Sequence, residues 1–188
     1  MGAPEEMDKT RSRREASRTN IILRSTEVPT MSQTPAITAL AREGIAHRVI
    51  SFEAEGHAGD YGRAAAAALD QSPAQVFKTL MVELDDGRLA VAMVPVEGRL
   101  DLKAVARVFS VRKAKMAEPR KAERATGYVV GGISPLGQKR RLPSVIDASA
   151  LEFDELYVSA GRRGLEVALS PDDLIATTAA KVATIATG

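Results

Sequence analysis

Apolar residues along this chain recur at two periods, and the switches between them mark the elements. Ile37, Leu40 and Ala41 fall at helical spacing, opened by Thr34-Pro35 and closed by Gly44. Arg48–Phe52 reads as a short strand and Glu53–Gly59 as a loop. Arg63–Leu69 is alanine-rich and helical, and Ser72-Pro73 starts another short turn of helix. Phe77–Leu84 and Leu89–Val96 are apolar runs joined by Asp85-Asp86-Gly87-Arg88, and Asp-Gly between such runs signals a hairpin. Leu102, Val105, Ala106 and Phe109 form one face of a helix, and Glu118–Ala125 predicts a polar helix with Pro119 in its first turn. Tyr128–Val130 reads as a strand leading into the loop Gly131–Gly137. Ser144–Asp147, Glu155–Ser159 and Leu165–Leu169 predict strands, the last two joined by a turn through Gly161–Gly164. Ser170-Pro171-Asp172-Asp173 starts a helix with its acids at the positive end of the dipole.

Strands that come largely as hairpins, with helices between them, predict a mixed α+β fold. The expected architecture is a mainly antiparallel sheet or barrel with helices packed outside, not a doubly wound parallel sheet. Residues 1–30 are rich in Arg, Ser, Thr and Glu and lack a sustained apolar period. They read as a disordered or upstream extension, with Met31 a candidate start and 31–188 a single domain.

Composition narrows the chemistry. Among 188 residues there is no cysteine, which excludes disulfides, thiolate metal sites and a cysteine nucleophile of the protein's own. Two histidines, His47 and His57, leave little for a Ser-His-Asp triad or a multi-histidine metal site, and His57 in its Gly-flanked loop reads as a surface residue. Asp60, Asp147 and Asp172 lack the spacing of a metal site, so neither metal nor cofactor is expected. The longest apolar runs, Leu89–Val96 and Ala64–Leu69, are far short of the roughly 18 residues of a membrane span. The first apolar cluster, Ile21–Leu23, is too short for a secretory h-region, and a cytoplasmic protein is the default expectation.

The net charge of +2 hides an asymmetry. Arg99–Arg141 holds twelve bases against three acids, a surplus of +9, whereas Asp147–Asp173 holds seven acids against two bases, or −5. The first surplus suits a polyanion, and equally a solvated helix face. Seven aromatics and no Trp make a base-stacking platform a poor expectation, so contact with nucleic acid should be to phosphates or one terminal nucleotide.

Three places could carry chemistry. Lys78 interrupts the apolar strand Val76–Val82 on the face of Leu80 and Val82, opposite Phe77 and Thr79. It is either a solvated outer-face residue or a cation at the mouth of a cleft. Gly127–Gly137 carries four glycines and a proline, so its backbone N–H groups could hold a carbonyl or phosphate oxygen, or it could be a tight structural turn. Ser159 closes a strand, where it could bond a small polar substrate group or cap a hairpin.

Read together, Phe77-Lys78-Thr79-Leu80, Leu100-Asp101-Leu102-Lys103, Lys115-Met116-Ala117, Thr126-Gly127-Tyr128, Val130–Lys139, Tyr157-Val158-Ser159 and Arg163-Gly164-Leu165 resemble the YbaK/EbsC family. Its members are bacterial Cys-tRNA(Pro) deacylases related to the editing domain of prolyl-tRNA synthetase. The match runs over about residues 34–186 in family-like order. The resemblance implies metal-free, substrate-assisted hydrolysis in trans of Cys-tRNA(Pro), with Cys-tRNA(Cys) a further substrate. The cysteine thiol attacks its own ester carbonyl, and the protein supplies orientation and oxyanion stabilisation. It implies Lys78, Gly131 and Ser159 as the catalytic set. Phe52, Thr79, Gly132, Ile133, Ser134 and Pro135 would lie against substrate, and Arg112, Lys113, Lys139 and Arg140 on tRNA phosphates. The partners implied are the 3′ end of tRNA(Pro) and, transiently, prolyl-tRNA synthetase.

Phe52 stands where the family often has Tyr, Ser159-Ala160-Gly161 replaces Ser-Gly-Gly, and Glu53–His57 replaces a His-Asp-Pro loop. A phenyl ring donates no hydrogen bond. The alternatives are therefore a non-catalytic module that binds a tRNA end or the synthetase, and a deacylase for another small amino acid such as alanine.

Overall fold

The computed structural model describes residues 33–53 and 61–188. The expectations for 1–30 and for His57 fall outside them.

Local chemistry sets the first element. Thr34 Oγ1 accepts from the Ile37 N–H at 3.3 Å and caps α1, Pro35–Glu43, which ends at Gly44. The same hydroxyl donates to the Ala160 carbonyl, so the helix cap also pins a strand far along the chain. β1 is Arg48–Ser51 and α2 is Tyr61–Ala68. Ser72-Pro73 forms no helix. The Gln75 N–H closes a turn on the Ser72 carbonyl at 2.9 Å, and the chain passes directly into a strand. The hairpin is present as β2, Val76–Leu84, and β3, Leu89–Pro95, paired from Phe77↔Pro95 to Glu83↔Leu89. β4 is Arg99–Leu100, and α3, Leu102–Val108, is capped by Asp101, whose carboxylate accepts from the N–H groups of Lys103 and Ala104. β5 is Ala114–Met116 and α4 is Pro119–Thr126.

Tyr128–Val130 is not a strand. The Tyr128 side chain is buried while Val129 is 73% and Val130 44% exposed, so there is no two-residue alternation for a sheet to use. The Val130 N–H goes instead to a carboxylate oxygen of Glu123 at 3.0 Å.

β6 is Ser144–Asp147, followed by a 3₁₀ turn at Ala148–Glu152. β7 is Leu156–Arg162 and β8 is Leu165–Leu169, joined by a tight turn. The last elements are α5, Pro171–Thr178, capped by Ser170, then β9, Lys181–Ala183, and β10, Ala186–Thr187.

Eight strands make one sheet in the order β1-β8-β7-β2-β3-β6-β9, with β5 added on β2. The path does not close, so the architecture is a sheet and not a barrel. β4 and β10 form a separate pair. Among the described residues five ladders are antiparallel and three parallel, the mixed and mainly antiparallel arrangement expected. The main core lies on one face and includes Leu40, Phe77, Met93, Leu136, Leu156 and Val167. Burying side chains of this size stabilises the fold by roughly 1.5–3 kcal/mol each. A second cluster joins Val105 of α3 to Val82 and Val94, and a third joins Ala66 of α2 to Val76, Val96, Tyr157 and Ala168. No helix among the described residues is long and apolar enough to cross a membrane.

Candidate active site

The pairing of β2 creates the site. One edge of β2 is taken by β3 along most of its length. On the other edge β7 pairs only at Val76 and Phe77, and β5 only from Val82 to Leu84. Between those ladders, at Lys78–Leu80, the edge opens on a cavity of about 360 Å³, while the Met81 carbonyl accepts from the Ala117 N–H at 2.9 Å. Lys78, Thr79, Gly131, Ile133, Ser159 and Glu166 all line it. Segments more than 80 residues apart in sequence thus meet at one gap in a sheet. Val76, Leu80, Met116, Val130 and Pro119 line it as well and make its wall largely apolar.

Lys78 lies on the face that strand alternation assigns it. It is half-buried, and its ammonium donates to the Gly98 carbonyl at 2.6 Å and the Val96 carbonyl at 3.4 Å. Two of its three N–H groups are thereby committed and one is left. Burial, with the positive charges of Arg63 and Arg99 nearby, holds its pKa below the ordinary lysine value. The reading of Lys78 as a solvated outer-face residue is excluded by these contacts.

Gly131 has φ +93°, and a Cβ there would stand 2.7 Å from Nε of Arg163. The backbone is left-handed, which strains any other residue, and the Arg163 guanidinium lies directly on it. Arg163 also stacks over the Tyr61 ring at 5.1 Å, and Tyr61 lines the cavity. No hydrogen bond engages the Gly131 N–H among the described residues. The Gly132 N–H is different: it donates to the Val129 carbonyl at 3.0 Å and is not free for a substrate oxygen.

Ser159 sits at a bulge, where the β7–β8 register jumps from Ser159↔Glu166 to Arg162↔Leu165. Its hydroxyl accepts from the Gly161 N–H at 3.3 Å and keeps its own proton to donate. Gly161 has φ +106°, and a Cβ on it would lie 2.5 Å from the Tyr128 ring. Tyr128 in turn donates to the Leu136 carbonyl at 2.8 Å, and burial pushes its pKa up to about 12. This neutral phenol clamps the glycine loop to the bulge and so fixes Gly131 relative to Ser159.

Other expected substrate contacts lie elsewhere. Phe52 does not line the cavity; its N–H donates to the Gly164 carbonyl at 3.0 Å and prolongs the β1–β8 ladder. Ser134 is fully buried, its hydroxyl accepting from the Leu136 N–H at 3.2 Å. Pro135 lines a separate depression, shared with Arg140. Arg112, Lys113, Lys139 and Arg140 are all exposed, and none lines the cavity. Arg112 stands 3.4 Å from Asp85. Asp147 is structural. Burial alone would raise its pKa, but hydrogen bonds from Ser149, Ile185 and Ala186 outweigh that and hold it below the usual carboxylate range.

Glu166, Tyr61 and Arg63 do not stand out in the sequence, yet all line the cavity. The alternation Leu165-Glu166-Val167-Ala168-Leu169 marks Glu166 as facing away from the main core. It carries no sign that the alanine-rich helix α2 covers that second face.

Known proteins share both the sequence pattern and this fold. A family model described as the aminoacyl-tRNA editing domain matches residues 57–177. EbsC of Enterococcus faecalis, named as a candidate Cys-tRNA(Pro)/Cys-tRNA(Cys) deacylase, is 33% identical over 122 residues, 65% of this chain and 74% of the relative. ProXp-y of Escherichia coli, named as a multifunctional Ser/Thr-tRNA deacylase, is 27% identical over 143 residues, 74% of this chain and 83% of the relative. A solved structure described as a candidate trans-editing enzyme for prolyl tRNA synthetase superposes with a TM-score of 0.73 at 25% identity, covering 87% of this chain and 100% of the other. The gap in β2 with its lysine, glycine bend and serine is therefore found in a chain that belongs to the aminoacyl-tRNA editing domain family.

Proposed function

We propose that this chain is a deacylase that removes cysteine from mischarged tRNA(Pro), and from tRNA(Cys), acting in trans. The observation that carries the reading is the convergence of Lys78, Gly131 and Ser159 on one largely apolar cavity. The relative EbsC, at 33% identity, supports cysteine as the amino acid. Such an activity answers a physical limit. A pocket separates side chains that differ by one methylene by only about 1–3 kcal/mol, so a synthetase that admits a near-isostere needs a second, hydrolytic site.

The chain has no cysteine, and among the described residues no histidine lines the cavity. In the proposed step the substrate brings the nucleophile. The thiol sulfur of the esterified cysteine bonds to its own carbonyl carbon, the ester C–O bond breaks, and the thiol proton passes to the departing ribose oxygen. The products are a cyclic thiolactone and free tRNA. The protein's part is to orient the ester and stabilise developing charge. The remaining N–H of Lys78 and the free N–H of Gly131 are the donors for the carbonyl oxygen or the ribose. Ser159 holds a polar group of the amino acid. Arg112, Lys113, Lys139 and Arg140 contact the tRNA body through phosphates, and the chain works in a transient complex with prolyl-tRNA synthetase.

A second amino-acid class is favoured by one observation. The Thr79 hydroxyl is buried at the cavity and has no hydrogen-bond partner among the described residues. A serine or threonine side chain would satisfy it, and ProXp-y is named for those substrates. A panel of tRNAs charged with cysteine, serine, threonine, alanine and proline decides the matter. Release of cysteine from tRNA(Pro) well ahead of the others supports the first reading. Preferential release of serine or threonine supports the second and rules out thiol attack. Protection of every ester would mean a binding module without catalysis.

A further inference from the structure

Glu166 occupies a place where its strand and its neighbours call for an apolar side chain. Leu165, Val167 and Leu169 face the main core, while Glu166 shares the other face with Ala168. Ala66, Val76, Val96 and Tyr157, with Ile50 on β1, make that side apolar. Across the ladders Glu166 stands opposite Ser159 on β7 and Ile50 on β1. The residue is 5% exposed, yet it lines the cavity with Lys78, Gly131 and Ser159. Its Oε2 has no hydrogen-bond partner among the described residues.

Among the described residues, no charged or titratable group on the elements around it is bonded to that oxygen. On β1, Arg48 is bonded to Glu155 and to the Tyr157 hydroxyl. The Lys78 ammonium on β2 is turned to the Val96 and Gly98 carbonyls. On α2, Arg63 donates to the Glu97 carbonyl at 3.5 Å, and the Tyr61 hydroxyl accepts from the Gly164 N–H. Arg163, next along the turn, stacks on Tyr61, and Arg162 at the end of β7 is exposed. A buried carboxyl without a partner is costly, and a leucine would pack in its place without that cost. Its side chain lines the cavity, and among the described residues nothing bonds its open oxygen.

We propose that Glu166 is the anchor for the primary ammonium group of the aminoacyl ester, a role that rests on the deacylase reading. The ester end lies between Lys78 and Gly131, and the amine end meets Glu166 beside Ser159. In the empty cavity the carboxyl is neutral, because burial pushes its pKa up to about 8. An arriving ammonium supplies the opposite charge that favours the carboxylate. The carboxylic proton leaves to solvent, and a buried, hydrogen-bonded ion pair forms. The ligand class is therefore an ester whose amine is free. An N-acylated or peptidyl ester offers no cation and leaves the buried acid unanswered, so the site discriminates against it.

The experiment uses the full chain and two non-hydrolysable amides of 3′-amino-adenosine, one carrying cysteine and the other 3-mercaptopropionate, which lacks only the amine. Calorimetry is done at pH 6.5 in two buffers of different ionisation enthalpy. At that pH both the ligand amine and the carboxyl of the empty site are largely protonated. The wild-type chain should bind the cysteinyl amide about tenfold or more tightly than its deamino counterpart and release close to one proton. Glu166→Gln should bring the cysteinyl amide down to the deamino level with no proton release and leave the deamino affinity unchanged. Equal binding of the two amides by the wild type, or equal losses on both in E166Q, overturns the assignment. The wild-type preference and proton count stand without the variant, so a poorly folding E166Q does not remove the test. Charged tRNA is assayed in parallel. A wild-type chain that hydrolyses Cys-tRNA(Pro) but does not distinguish the amides overturns the Glu166 role alone. One that neither binds the amides nor hydrolyses the ester overturns the deacylase reading with it.

Discussion

Replacing Lys78 by alanine removes a half-buried ammonium whose hydrogen bonds go to the carbonyls of Val96 and Gly98. Both carbonyls belong to buried residues and lose this donor, so the change should cost about 1–3 kcal/mol and lower Tm by several degrees while the chain still folds. Single-turnover deacylation should fall by about a hundredfold or more, the loss typical of removing one donor from a developing oxyanion. Wild-type rates in a folded Lys78→Ala chain would remove Lys78 from the mechanism. Gly131→Ala should cost both stability and activity. The left-handed φ strains an alanine by about 1–3 kcal/mol, and the new Cβ meets Arg163 at 2.7 Å. Pairing it with Arg163→Ala should recover the steric part and not the backbone part, which a double-mutant cycle by denaturant melts would separate. At Glu166 the sign of the pH effect is fixed by the direction of the shift. Its pKa is raised from an ordinary 4.5 to about 8, so the empty fold is favoured below the lower value and that favour is lost as pH rises through the upper one. Glu166→Gln should therefore match wild-type Tm near pH 4.5 and exceed it increasingly toward pH 8, read by thermal melts across that range.

At the scale of elements, α2 decides how dry the cavity is. Gly62 lets the helix lie against Val96, because a Cβ at Gly62 would approach Val96 Cγ1 to 2.7 Å. Gly62→Ala should lift the helix from Val96 and cost about 1–3 kcal/mol by overpacking. It should also admit water to Glu166, so its pKa, followed by NMR titration, should move back toward that of an ordinary carboxyl. An unchanged titration would show that α2 does not set the dielectric there. The same element explains why Glu166 is silent in the sequence. An alternating strand with a glutamate on its minor face reads as half-solvated until a second layer is known to cover it. The expected strand at Tyr128–Val130 failed for a related reason: buried Tyr128 reports the clamp onto Gly161 and Leu136, not a ladder.

For the whole molecule, the +9 surplus of Arg99–Arg141 is less free than its sum suggests. Lys115 and Lys121 both reach Glu83, at 3.7 and 2.8 Å, and Arg107 lies 3.8 Å from Asp101. Exposed pairs of this kind are worth roughly 0–1 kcal/mol each, enough to orient side chains and little more. Arg112, Lys113, Lys139 and Arg140 remain exposed. Charge reversal at Lys139 and Arg140 should weaken tRNA binding and lower the slope of log K against log salt by about 0.7–0.9 for each phosphate no longer neutralised. Hydrolysis of cysteinyl-adenosine, which lacks the tRNA body, should be unchanged. An unaltered salt slope would place the tRNA path on another face.

Local interactions were legible in the order of residues alone. Thr34-Pro35 and Ser170-Pro171 cap helices with their own side chains, Asp86-Gly87 turns a hairpin, and two-residue alternation put Lys78 on its observed face. Each depends on groups a few positions apart, which any chain with those residues brings together. The motif pattern also identified Lys78, Gly131 and Ser159 as a set. Only the tertiary structure decided that they share a cavity, because that cavity exists where β5 and β7 leave part of one β2 edge unpaired. It likewise put Phe52, Ser134 and Pro135 outside the cavity and committed the Gly132 N–H to Val129. Burial of Glu166 is the clearest case, since a carboxyl's charge state is set by the layers packed around it, and no local stretch of sequence contains them.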